Sequence, residues 1–220
     1  MYQEKIIYID TETTGLDYTK DQIIELSAIK AYRQNKQEPE GFHAYIKCPR
    51  LLDSKISELT GISDYTLATQ GKDEQKVMDA FVAFVGDGYS TLMVAYNAQF
   101  DLLFLKGALE RCGYKGFIES LDYLDLLTVY RDRHYYPHKL KDAIAKYELK
   151  GYVNSHNASD DTRALLGVTK ALIKERHDLH KYVNLFGYLE KYGVSGERLN
   201  KVTYLPQGKP TWGLYEKTGR

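Results

Sequence analysis

An apolar run that ends on two carboxylates constrains this chain more than any other feature. Residues 5–9 (K-I-I-Y-I) are rich in β-branched and aromatic side chains and predict a buried strand, and Asp10-Thr11-Glu12 follows without a break. Strand side chains alternate, which sends Asp10 and Glu12 to one face and Thr11 to the other. Gly15 then breaks the strand and lets the chain turn tightly. Two carboxylates on one face repel each other, and a hard divalent cation with oxygen ligands removes that repulsion. Read alone, the pair fits a solvated strand end equally well.

The stretches that follow predict a sheet around this strand. Residues 22–32 and 41–47 alternate as second and third strands, joined by a polar, proline-containing loop at 35–40. Strands this close in sequence predict an antiparallel meander. Residues 48–70 read as irregular, whereas 73–85 place Val77, Ala80, Phe81 and Phe84 at helical spacing. A buried strand is expected at 91–96, a helix from Asn97 to about residue 112, and a short strand at 117–121. Helices are expected at 124–131, 139–147 and 158–174, the first leading into R-D-R-H-Y-Y-P (131–137), which reads as a loop between helices. The order predicts an α/β sheet with packed helices. Beyond it, Leu179, Tyr182, Val183, Phe186 and Leu189 predict an amphipathic helix over 177–192. Residues 201–205 and 211–215 flank P-Q-G-K-P as a small hairpin. The expected organisation is one domain over 1–176 with a C-terminal helix-hairpin extension over 177–220.

With 220 residues the chain can bury a full core without disulfides. Cys48 and Cys112 match neither a disulfide framework nor a zinc pattern, and no apolar run approaches membrane-spanning length, so a reducing, cytoplasmic setting without a membrane is expected. A net charge of zero argues against coating long duplexes by charge alone. The charge is uneven, however: residues 170–220 hold ten Lys/Arg against five Asp/Glu, which suits a basic tail near a polyanion. A phosphate loop of the G-x-x-x-x-G-K type is missing from the sequence, so nucleotide-driven motor chemistry is not indicated.

Two further elements complete a chemical set. Asn97-Ala-Gln-Phe100-Asp101 places an N-cap and a first-turn carboxylate at a helix start, where helix polarity alone would explain the acid. His156-Asn-Ala-Ser-Asp160-Asp161 places a histidine before another helix with two acids in its first turn. These acids lie about 100° apart around the helix, so at most one points well into a given site. Together the elements gather four carboxylates and a histidine where an α/β sheet collects its active site. That set suits a two-metal phosphodiester hydrolase, in which an imidazole takes a proton from the attacking water.

These motifs resemble the DEDDh (DnaQ-like) 3′→5′ exonucleases, which include the proofreading subunit of bacterial DNA polymerase III. D-x-E-T-T-G is Asp10 to Gly15, N-A-x-F-D is Asn97 to Asp101, and H-x-A-x-x-D is His156 to Asp161, which selects Asp161 over Asp160. Weaker family-like features fall at Leu59-Thr-Gly-Ile62, Asp125 and His138-Lys-Leu140, and Thr162 stands where the family usually has alanine. The resemblance implies a ribonuclease H-like mixed sheet, an antiparallel meander plus parallel strands, flanked by helices. It implies Asp10, Glu12, Asp101 and Asp161 as ligands of two Mg²⁺ or Mn²⁺ ions and His156 as general base. Thr13 and Leu16 would hold the 3′-terminal nucleotide, with Asn97 and Phe100 lining the same pocket. The implied activity removes nucleoside 5′-monophosphates from a single-stranded 3′ end of DNA, with RNA as the alternative substrate. A catalytically silent nucleic-acid-binding scaffold is the rival from another class, and a DNA polymerase subunit is the candidate partner of the tail.

Overall fold

A computed structural model describes residues 4–33, 37–152, 154 and 156–219. Its centre is a five-stranded sheet in the order β3-β2-β1-β4-β5, with β1 at Lys5–Thr13, β2 at Ile23–Tyr32, β3 at Glu40–Tyr45, β4 at Thr91–Ala95 and β5 at Asp122–Asp125. The first three strands form the expected antiparallel meander, and β4 and β5 add parallel to β1. Asn35 and Lys36 of the expected hairpin loop lie outside the described residues.

Both faces of the sheet are covered, which is why β1 and β4 read as continuous apolar runs. Ile7, Ile9, Met93 and Ala95 face a layer made by α3 (Glu74–Val85) and α4 (Ala98–Arg111), including Phe81, Leu102 and Leu105. Tyr8, Leu92 and Val94 face the opposite layer, where α6 (Leu126–Arg133) and α8 (Ala158–Glu175) contribute Val129, Leu165 and Val168. Each row of alternate side chains therefore leads to a different helix layer. Asp10 and Glu12 extend the Tyr8 row towards α8, and Thr11 extends the Ile7–Ile9 row towards α4.

Four stretches depart from the sequence-based expectations. Residues 48–70 contain two short helices, α1 (Ser54–Thr60) and α2 (Asp64–Gln70), started by Asp53 and Ser63 side chains that accept from Lys55 and Thr66 N–H groups. The strand expected at 117–121 is a helical turn, α5 (Phe117–Ser120), and β5 begins just after it. Among the described residues the tail holds no helix-hairpin: a 3₁₀ turn at Leu179–Tyr182 leads into β6 (Leu185–Tyr188), which pairs in parallel with β7 (Thr203–Pro206). Asn184, in the left-handed region at φ 57°, ends the turn and seals the outer edge of β5. Its N–H donates to Tyr123 O (2.8 Å), and Tyr123 N–H donates to its side-chain oxygen (2.9 Å).

The R-D-R-H-Y-Y-P stretch is also more than a loop, because Asp132 and Arg133 close α6 and anchor the tail. The Asp132 carboxylate accepts from Tyr182 OH (2.7 Å), Leu214 N–H (2.9 Å) and the Thr211 backbone and hydroxyl. Arg133, also buried, pairs with Asp178 and Glu175 and donates to Leu172 O (2.7 Å). The short helix α7 (Leu140–Lys146) packs against α8. No helix among the described residues is long and apolar enough to cross a membrane.

Candidate active site

The site straddles the end of β1. Pairing with β4 stops at Tyr8, so the β4-side edge of β1 is open beyond it. Asp101, in the first turn of α4, fills that edge: its Oδ1 accepts from Thr11 N–H (3.0 Å) and Thr11 Oγ1 (2.8 Å). A carboxylate from the α4 layer is thus brought beside Asp10 and Glu12, which point to the α8 layer. On that side α8 supplies Asp161, buried in its first turn and accepting from Asn154 Nδ2. Asp160 turns aside to Arg163, 3.8 Å away.

Electrostatics report how closely the acids gather. Burial raises Asp10 well above the usual carboxylate range, and the charges of Asp101, Asp161, Glu12 and Glu25 raise it further. Burial likewise pushes Glu12 up to about 8, reinforced by Glu25, Asp161 and Asp101. Asp101 is pushed up to about 7 by burial, against the opposing pull of its hydrogen bonds from Thr11. Glu12, His156 and Asp161 each bring a ligand-type atom within 4.8 Å of one another. Such a donor set fits hard divalent cations: it is rich in carboxylate oxygens, crowded, and short of positive charge. His156 is exposed and sits at φ 53°, a left-handed conformation that non-glycine residues seldom adopt.

The residues expected from the sequence to hold the nucleotide are distributed around this cluster. Leu16 is 86% exposed at the tip of the turn after β1, whereas Thr13 is buried and donates to Gly15 O (2.6 Å). Gly15 packs closely: a Cβ there would stand 2.3 Å from an Asp21 carboxylate oxygen, so the Asp21 side chain would have to shift. Asp21 in turn braces the turn through Thr14 Oγ1, Asp17 N–H and Arg50. Phe100 is half-buried on Phe104, with ring centroids 4.8 Å apart. Asn97 occupies the N-cap position of α4, but it sits at φ 68° and its side chain makes no cap. The cap is supplied by Asp125, whose Oδ1 accepts from Asn97 N–H (2.9 Å) and Ala98 N–H (3.1 Å). The Asn97 side chain is left exposed beside the site.

Sequence reasoning missed Glu25. It lies directly across from Glu12 in the β1–β2 ladder and is fully buried. Its carboxylate accepts from Ala158 N–H (3.2 Å) and Asn157 Nδ2 (3.4 Å) at the start of α8, and lies 2.7 Å from His43 Nε2. Glu25 therefore ties the helix that carries Asp161 to the strand beside Glu12. The available signal was a lone charge inside the apolar run I-I-E-L-S-A-I.

The mixed sheet thus collects carboxylates from one strand end and two helix starts. The chain belongs to the RNase_T exonuclease family, whose model matches residues 7–169. It is 31% identical over 180 residues to the PolC-type DNA polymerase III of Halalkalibacterium halodurans, covering 80% of this chain and 12% of that protein. It is 29% identical over 215 residues to the PolC-type DNA polymerase III of Clostridium perfringens, covering 94% of this chain and 14% of that one. The chain thus spans a small part of the length of these curated relatives. Among solved structures, E. coli exonuclease I in complex with a dT13 oligonucleotide superposes with a TM-score of 0.70 at 20% identity, covering 82% of this chain and 43% of that one. The shared architecture is the ribonuclease H-like sheet of the DEDDh (DnaQ-like) exonucleases, a family that depends on divalent metal.

Proposed function

We propose that this protein is a two-metal 3′→5′ exonuclease that removes nucleoside 5′-monophosphates from single-stranded DNA ends. The observation that carries the reading is the convergence of Asp10, Glu12, Asp101 and Asp161, with the charges of Asp101 and Asp161 raising the proton affinity of Asp10 and Glu12, and with His156 beside Glu12 and Asp161. Preference for DNA is supported by the PolC-type polymerase relatives and by the oligodeoxynucleotide complex of E. coli exonuclease I.

In this reading the four carboxylates hold two Mg²⁺ or Mn²⁺ ions. Bound there, the cations supply charge stabilisation to the scissile phosphate during displacement. His156 accepts the proton of the attacking water at an imidazole nitrogen, and its exposed position leaves it free to reach solvent. Thr13 fixes the turn that presents Leu16, and Leu16 wedges against the terminal bases. Asn97 and Phe100 line the opposite wall. Glu25 is a positioning residue that holds the start of α8, and with it Asp161, in register with Glu12. The catalytic unit is residues 1–176, with 177–220 extending the substrate surface. A cytoplasmic enzyme with a DNA polymerase subunit as tail partner completes the proposal.

The test is digestion of matched single-stranded DNA and RNA in Mg²⁺ and in Mn²⁺, with products identified by chromatography. Faster release of deoxynucleoside 5′-monophosphates is expected. Faster release from RNA overturns the substrate assignment, and no release from either overturns the activity.

A further inference from the structure

A pocket of about 170 Å³ lies between the start of α4 and the tail, outside the carboxylate cluster but sharing Asn97 with its rim. The core contributes Asn97, Asp125 and Arg131, and the tail contributes Tyr188, Tyr192 and Tyr204. The wall is built rather than incidental. Gln99, on α4, fastens the tail by donating to Ser195 O (3.0 Å) and Glu197 O (2.6 Å) and accepting from Tyr204 OH (2.7 Å).

Arg131 is the anomaly in this pocket. It is half-buried, and its Nε is shut off from solvent with no hydrogen-bond partner among the described residues. It enters no salt bridge among them either, although a carboxylate, Asp125, lines the same pocket. Asp125 is already saturated: its two oxygens accept from the N–H groups of Asn97, Ala98, Leu127 and Thr128 and from the Thr128 hydroxyl (2.6 Å). Burial disfavours the charged form of Arg131, the charge of Asp125 opposes this only in part, and an external anion at the terminal nitrogens of the guanidinium would favour it further. Its planar fork matches a phosphate, and the tyrosines around it offer stacking faces; Tyr192, at the rim, is 72% exposed.

We propose that this pocket is an upstream subsite, in which Arg131 binds an internal phosphodiester of the substrate strand, 5′ of the scissile bond, and Tyr192 stacks on the adjoining base. The inference rests on the exonuclease reading and deepens it, because the tail then sets how much strand the enzyme grips. The shared Asn97 makes the pocket continuous with the site that holds the 3′ end.

The test compares the full chain with Arg131→Ala, Arg131→Lys and Tyr192→Ala on two substrates: an oligodeoxynucleotide of about ten residues, and the p-nitrophenyl ester of thymidine 5′-monophosphate, which has no upstream phosphodiester. Arg131→Ala should raise KM for the oligonucleotide roughly ten- to a hundredfold at nearly constant kcat, the loss expected for one charge-assisted contact. The slope of log KM against log salt should fall by about 0.7, one phosphate contact on a single strand. Arg131→Lys should recover part of the affinity, Tyr192→Ala should raise KM roughly tenfold, and all variants should hydrolyse the ester as wild type does. The melting temperature of Arg131→Ala should change little, because Arg131 is half-buried and enters no salt bridge among the described residues. Equal losses on ester and oligonucleotide, or no loss on either, would overturn the subsite. A change confined to inhibition by free thymidine 5′-monophosphate would replace it with a product site. Wild-type inactivity on the oligonucleotide would instead defeat the exonuclease reading itself.

Discussion

Glu12→Gln should make the protein more stable at alkaline pH in EDTA, and the size of the gain can be worked from the site. Burial and the charges of Glu25, Asp161 and Asp101 raise Glu12 from an ordinary 4.5 to about 8. The folded chain therefore binds this proton more tightly than the unfolded chain. The resulting contribution is complete below about pH 4.5, declines between there and about pH 8, and is absent above it. At about 1.4 kcal/mol for each pH unit, the displacement corresponds to roughly 4–5 kcal/mol, an upper value because Glu12 shares protons with its neighbours. A chain of this size changes its Tm by about 2–4 °C per kcal/mol, so wild type should lose roughly 10 °C more than Glu12→Gln between about pH 5 and pH 8.5. Differential scanning calorimetry in EDTA measures this directly. Saturating Mn²⁺ at the upper pH should then stabilise wild type by about 2.7 kcal/mol at a hundredfold excess over Kd, and Glu12→Gln by less. Parallel pH profiles for the two proteins, with no response to Mn²⁺, would refute a like-charge cluster built to accept cations.

Other perturbations separate the residues. His156→Ala should lower kcat by about 10²–10⁴-fold with little change in Tm, the range expected for a lost general base, and near-wild-type turnover would remove His156 from the mechanism. Asp161→Asn should abolish turnover while Asp160→Asn leaves it intact, since only Asp161 is buried in the cluster and Asp160 turns to Arg163; the reverse result, read in the same single-turnover assay, would show the register to be wrong by one. Asp132→Ala should destabilise by about 3–5 kcal/mol in urea unfolding, because it strands the buried donors of Tyr182 and Leu214 and uncouples the tail. An unchanged midpoint would show that the tail is held elsewhere.

How far the sequence carried depended on how local each determinant is. The apolar runs of β1 and β4 and the alternation of Asp10 and Glu12 are period-two signals, and the structure places those residues as the alternation requires. Asp161 was separable from Asp160 only through motif spacing, which agrees with the way α8 turns them. Glu25 escaped because its importance is non-local: it depends on the β1–β2 register and on the start of α8, 133 residues away. The helices α1 and α2 are seven residues each and owe their limits to caps at Asp53 and Ser63, which leave little periodicity to detect. In the tail the apolar spacing was real but its cause was different. Tyr182 and Phe186 are buried because the chain folds onto α6 and β5, and the left-handed Asn184 interrupts any helix between them.

The most direct test of the central claim is digestion of a 5′-labelled single-stranded oligodeoxynucleotide by the purified chain, with Mn²⁺ or with EDTA, beside Asp101→Asn. The account predicts a ladder shortening one nucleotide at a time from the 3′ end, dependent on metal and absent in the variant. Internal cuts, a ladder that persists in EDTA, or an intact strand under every condition would contradict it.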